Sequence, residues 1–193
     1  MTSPAALLGS SVHDAAQRAA DILAVLLPRA GNRLSPGSAA ERAALIEVLL
    51  AHGEPAPIQM SAAQLDSLRQ AARELREVFT AADAATAAAR INSLLAGSAH
   101  PPRLTTHGGA SGWHLHVDSH DDAPEAEWFL TSSCLALAVL LADRQALPAG
   151  ICQSPSCARP FVNVGRGSPR RYCSSTCGTR ERVAAHRRAG RPA

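Results

Sequence analysis

Cys152-Gln-Ser-Pro-Ser-Cys157 and, fifteen residues further on, Cys173-Ser-Ser-Thr-Cys177 form the stretch on which the reading of this 193-residue chain turns. A short loop between two cysteines lets both thiolates face one point. Two such loops, with enough chain between them to fold back, supply the four soft ligands of a tetrahedral zinc site. Four thiolates leave no open coordination position, so Cys152, Cys157, Cys173 and Cys177 are expected to hold one structural Zn2+ and to do no catalysis. Between the pairs, Phe161-Val-Asn-Val164 and Pro169-Arg-Arg-Tyr172 flank Gly165-Arg-Gly-Ser168 and read as a hairpin. Ser174 or Ser175 then caps a helix running through Arg180, Val183, Ala184, Ala185 and Arg188 to a stop near Gly190. Knuckle, hairpin and a helix with two ligands at its start make a treble-clef-like module over 151–193. So short a segment builds little core, so the metal is expected to supply much of its folding energy.

The charge of the chain divides at the same place. The formal net charge is +3, and all 19 basic residues are arginine. Residues 1–150 hold 10 Arg and 15 acids, whereas residues 151–193 hold 9 Arg and a single acid, Glu181. A basic segment set against an acidic one points to a polyanionic partner. The absence of lysine is a compositional bias, typical of a GC-rich bacterial genome, and carries no function. Forty alanines and 3% aromatics predict a core of closely packed helices in preference to a large sandwich or barrel. The longest apolar run, Cys134 to Ala142, is far short of the ~20 residues of a membrane span. The N-terminus does not read as a secretory signal. No membrane partner and a cytoplasmic, nucleoid-associated location are therefore expected, where thiols stay reduced.

The first 147 residues read as one mostly helical domain. An apolar stripe over 10–27 stops at Pro28, and Ser38-Ala-Ala-Glu41 is a capping box opening a helix to about Ala51. Ser61-Ala-Ala-Gln64 is a second box, followed by an apolar face of Leu65, Leu68, Ala72, Leu75 and Phe79, with Arg69, Arg73, Arg76 and Glu77 elsewhere. Asp83 caps a helix to Leu95 with Gly97 as its stop. Residues 103–107 and 113–119 then flank a glycine-rich turn. Trp113, Leu115 and Val117 alternate with His114, His116 and Asp118, as in a β-hairpin whose histidine side faces solvent. On that reading His114, His116 and His120 are surface residues and no second metal site. Asp121 and Asp122 read as helix-start chemistry for a last helix ending near Leu147-Pro-Ala-Gly150. Cys134, in the apolar run of that helix, reads as core. The fold class expected is mainly α with small β-hairpins.

The segment Cys152-Gln-Ser-Pro-Ser-Cys157, Phe161, Ser168-Pro-Arg-Arg-Tyr-Cys173 and Cys177-Gly-Thr-Arg180 resembles the CGNR zinc finger. That finger closes bacterial proteins whose N-terminal domain is called ABATE and which are regarded as stress-induced transcription regulators. Thr179 departs from the asparagine of the family name; it keeps a hydroxyl and loses an amide. More loosely, Leu68 to Phe79, Ile91-Asn-Ser-Leu-Leu95 and Gly112-Trp-His-Leu115 resemble the ABATE domain in order and spacing. The resemblance implies a regulator.

Arg166, Arg170, Arg171, Arg180, Arg187, Arg188 and Arg191 are the candidate nucleic-acid contacts. Arg180, Arg187 and Arg188 share one broad helix face at i, i+7 and i+8, and arginine suits bidentate contact with phosphate or guanine. Arg180, nearest the zinc, is equally a brace for the fold. DNA is the expected partner. The alternatives are RNA or a protein on the same helix, and a basic tail clamped onto the acidic domain. The N-terminal domain leaves room for a small-molecule ligand or a dimer partner. No phosphate-binding glycine loop or nucleophile elbow appears, so an enzyme is not expected. A cleft with converging polar residues would favour the contrary reading.

Overall fold

The computed structural model describes residues 4–28, 35–165 and 168–189, with side chains over 12–28, 35–165 and 168–188. Arg166 and Arg191 lie outside the described residues.

Capping chemistry sets the helix starts. After α1 (Pro4–Leu26), Ser38 accepts the Glu41 backbone N–H and opens α2 (Ala39–Ala51). Ser61 and Gln64 cap one another reciprocally at the start of α3 (Ala62–Phe79). Asp83 accepts from the Thr86 N–H at the start of α4 (Ala84–Ser98). Removing a cap leaves an orphan donor, so Ser61→Ala is expected to lower stability by about 1 kcal/mol, read as a shift of the urea midpoint. Gly97 is not a stop, because α4 runs through it and is capped by Ala99, whose N–H bonds the Leu95 carbonyl.

The central element is α5 (Glu125–Arg144), which packs on α1, α3 and α4. It is long and apolar enough to cross a membrane by length and composition. Here its apolar surface is covered from several sides, as a helix apolar around its circumference requires. Phe129, Cys134 and Leu137 on α5 meet Ile22, Leu23, Leu65, Leu75 and Ile91 in one core. Cys134 is fully buried, and burial pushes its thiol up to about 12.

One polar pair sits among these residues. Glu41 accepts from the Arg69 guanidinium at 2.7 Å, with side-chain exposures of 2% and 9%. Glu41 also takes the Gly37 N–H at 2.7 Å. Arg69, set apart from the apolar face by its spacing, is therefore buried with it. Glu41 does not complete a capping box, since its carboxylate reaches across to α3.

The first hairpin pairs β1 (Arg103–Thr105) with β2 (His114–His116), Leu104 opposite Leu115. Over β1 and β2 its faces are the reverse of the expectation, whereas Val117, just beyond β2, is buried as expected. Leu104, Trp113 and Leu115 are exposed at 66%, 75% and 48%, whereas the His116 side chain is only 10% exposed. The physical reason is Asp118, 3% exposed, which as a buried carboxylate must be paired. Arg103 and His116 pair it, drawing the polar face inward. Asp121 does not start α5. It bonds Arg103 and the Thr105 hydroxyl, and those two contacts, Thr105 first, hold its carboxyl below the usual range.

The second hairpin also differs from the expectation. β3 (Ala149–Ile151) pairs antiparallel with β4 (Pro160–Val162), across the first cysteine loop, with Gly150 opposite Phe161. No ladder joins 161–164 to 169–172 among the described residues. Those later residues are held by other bonds. Arg170 N–H donates to the Asn163 side-chain oxygen, and Gln153 N–H donates to the Arg171 carbonyl. β4 packs on α1 and β3 on α3, and Ala149 and Val162 belong to the same core as the helices. The last element is α6 (Ser175–Ala189).

Candidate metal centre and basic helix

The first cysteine loop is a closed knuckle. Cys152 N–H donates to the Arg159 carbonyl, and both Cys157 and Ala158 donate N–H groups to the Ser154 carbonyl. Ala158 turns the chain back with a left-handed φ of 52°. The second pair straddles the start of α6. Cys173 precedes it and Cys177 sits in its first turn, where the Ser174 hydroxyl accepts the Cys177 N–H at 3.2 Å. The four sulfurs lie within 4.8 Å of one another. Cys157 and Cys173 are 3.6 Å apart, and Cys173 and Cys177 are 3.8 Å apart. A regular tetrahedron of sulfurs around zinc has edges of about 3.8 Å, from a Zn–S length of ~2.3 Å. A disulfide would need ~2.05 Å, and all five cysteines are free. The four cysteines therefore fit one structural zinc ion.

Their acidity is consistent with a site that a cation completes. Burial and the neighbouring thiols push Cys173 up to about 12, burial pushes Cys157 upward, and the Ser174 hydroxyl draws Cys177 down. A divalent ion at the centre supplies the charge that four crowded thiolates need.

Around the sulfurs is a small apolar cluster of Phe161 and Tyr172. A side chain at position 150 would approach the Phe161 ring to 3.0 Å, and one at 178 would meet Tyr172 at 3.4 Å. The glycines there let strand and helix close on the two rings. Ser154 donates to Glu181, the only acid of the segment, at 2.7 Å. Arg180 donates to Ser156 at 2.9 Å. Both bonds tie α6 to the first knuckle through serines that the cysteine spacing alone did not single out; the Ser-Pro-Ser sequence inside the loop was the available signal.

The candidate arginines fall into two groups. Arg170 reaches the Val162 carbonyl and lies 5.2 Å from the Phe161 ring centre. Arg171 bonds the Gln153 side chain at 2.8 Å and lies 5.8 Å from the Tyr172 ring centre. With Arg180, they brace the module. Arg187 and Arg188 are exposed and have no partner among the described residues. Arg182 donates to the Thr179 hydroxyl at 3.0 Å, so threonine serves there as an acceptor for the next turn. In α6 the one buried residue among those described is Cys177. The helix is anchored by its metal-binding turn and stands free beyond it. No arginine of α6 forms an ion pair with the acidic domain among the described residues. Arg159 does so from the knuckle, at 2.9 Å from Asp21 on α1.

The fold and the centre define a mostly helical protein carrying a four-cysteine zinc module with a projecting basic helix. Comparison with protein families identifies the module, for residues 149–189 match the CGNR zinc finger. The match begins at β3, so it includes the strand that pairs across the knuckle. A search of curated proteins finds no match to the chain.

Proposed function

We propose that the protein is a bacterial transcription regulator that binds DNA through α6, with an ABATE-like sensing or dimerising domain ahead of it. The observation that carries this reading is the exposure of Arg187 and Arg188 on a helix held only at its zinc-binding end. A helix of this kind fits the major groove, and unpaired guanidinium groups lose no protein contact on meeting phosphate. Arg180 ties the helix to the first knuckle, and Arg170 and Arg171, bonded to β4 and to Gln153, remain exposed enough to add phosphate contacts. The net charge of the segment favours a polyanion over an uncharged protein surface. The lack of ion pairs between α6 and the acidic domain among the described residues argues against an intramolecular clamp. A cytoplasmic, nucleoid-associated location follows from this role.

Anisotropy titration of a labelled random DNA duplex over a salt series tests the proposal. Affinity should fall with salt at a log–log slope of roughly −0.9 per phosphate neutralised, and Arg187→Ala/Arg188→Ala should flatten that slope by about 1.8. A salt-independent affinity, or an unchanged slope in the double variant, overturns it. Tighter binding of single-stranded or duplex RNA in the same assay would move the assignment to RNA.

A further inference from the structure

The inward turn of the first hairpin brings together three histidines that sequence spacing did not group. His114 and His116 come from β2. His107 comes from the β1–β2 turn, where its φ is 49°. One ring nitrogen from each lies within 4.8 Å of the others, and the ring centres are 4.8–5.1 Å apart.

Hydrogen bonds orient the His114 and His116 rings, and an ion-pair contact orients His107. His114 Nδ1 is 2.7 Å from the Gly112 carbonyl, which can only accept, so Nδ1 carries the proton and Nε2 presents a lone pair. His116 Nδ1 is 2.9 Å from both oxygens of Asp118, a carboxylate that likewise accepts. Arg103 shares that carboxylate and lies 3.3 Å from the same ring nitrogen, a second donor on one anion. His107 Nδ1 faces Asp121 Oδ2 at 3.5 Å. A carboxylate or carbonyl behind each imidazole is the outer-shell arrangement that orients histidine ligands on a metal. Two of the remaining nitrogens meet, His107 Nε2 lying 3.0 Å from His114 Nε2. With the proton of each ring on Nδ1, two lone pairs face one another here and a cation between them relieves the repulsion. Three imidazoles around zinc at ~2.0–2.1 Å would have nitrogens about 3.3–3.4 Å apart.

We propose that His107, His114 and His116 form a second metal site, for a divalent first-row transition-metal ion, distinct from the four-cysteine centre. Imidazole donors suit zinc, nickel, copper and iron more than magnesium or calcium. Three protein ligands leave coordination positions open. The three histidines line a cleft of about 1480 Å³ whose other wall includes Trp128 of α5 and Arg18 of α1. Arg18 lies 4.1 Å from the Trp128 ring centre and bonds Glu54 and Ser132. The site therefore opens onto space where water or an exogenous ligand can complete the coordination. The inference does not depend on the DNA-binding proposal.

The test is a metal titration of the full chain already holding one zinc, at a pH above the imidazole range of ~6.5. Cobalt(II) is the probe. It should bind as a second equivalent, with visible d–d bands and without the near-ultraviolet thiolate band that a cysteine site produces. His114→Ala and His107→Asn should each weaken this equivalent at least about 100-fold, beyond the roughly 10–100-fold cost of losing an outer-shell partner. Asparagine tolerates the left-handed turn, so His107→Asn keeps the fold. Both variants should retain the first zinc. Saturation of the wild-type chain at one equivalent overturns the proposal and assigns the 3.0 Å contact to a shared proton. A second equivalent that survives both variants, or that carries the thiolate band, also overturns it.

Discussion

A chain carrying Cys173→Ser will purify with well under about half an equivalent of zinc, and its segment beyond β4 will be cut rapidly by protease. Cys173 stands between the other ligands, with Cys157 at 3.6 Å on one side and Cys177 at 3.8 Å on the other. Its loss removes one corner of the tetrahedron. Little else holds the segment beyond β4, since the apolar cluster it joins consists of Phe161 and Tyr172 beside the cysteines themselves. Structural zinc in small modules contributes roughly 10–16 kcal/mol of apparent binding energy, far more than two aromatic side chains provide. Cys134→Ala is the control. That cysteine lies in the helical core, so the variant should keep one zinc while losing some global stability. Equal zinc content in the Cys173→Ser and wild-type chains would refute the four-cysteine assignment.

The second large effect belongs to the helical domain. Glu41→Ala should destabilise the protein by about 3–5 kcal/mol, because it leaves the Arg69 guanidinium buried without its principal partner. Asp66 still reaches Arg69, but from the surface, with 71% of its side chain exposed. Removing the acid also frees the Gly37 N–H before α2. The double variant Glu41→Leu/Arg69→Met should recover most of the loss, since two apolar side chains of similar volume need no partner. Urea midpoints with an unchanged slope read both effects. A double variant no better than Glu41→Ala would mean that the pair is not what matters at this site.

How far the sequence anticipated these features follows from how local each signal is. Ser61 with Gln64, and Asp83 ahead of its helix, are legible because a cap is decided within four residues. The four cysteines are legible because their spacing encodes a convergence point. Arg69 was misplaced because periodicity assigns a face and says nothing of a buried acid 28 residues away. The first hairpin shows the same limit. Alternation of Trp113, Leu115 and Val117 with His114, His116 and Asp118 identifies two faces; the pairing of buried Asp118 with His116 and Arg103 turns the histidine side of β2 inward, and Val117 beyond the strand is buried as well. His107 lies outside that alternation, so its approach to His114 and His116 depended on the register of the turn. The β3–β4 pairing was missed because three-residue strands beside Pro148, Gly150 and Pro160 are too short to show a period.

β4 has a consequence for how the protein comes apart. Val162 fills the large core, while its neighbour Phe161 faces the sulfurs. A single three-residue strand is thus a seam stitched into both halves, and Asn163 knots its end by bonding Pro148, Leu147 and the Arg170 backbone. Stripping the metal will therefore tug a plug from the helical bundle as well as loosen the tail. A calorimetric scan of the metal-free chain should show the bundle's own transition moved downward, an effect that two beads on a string would not produce.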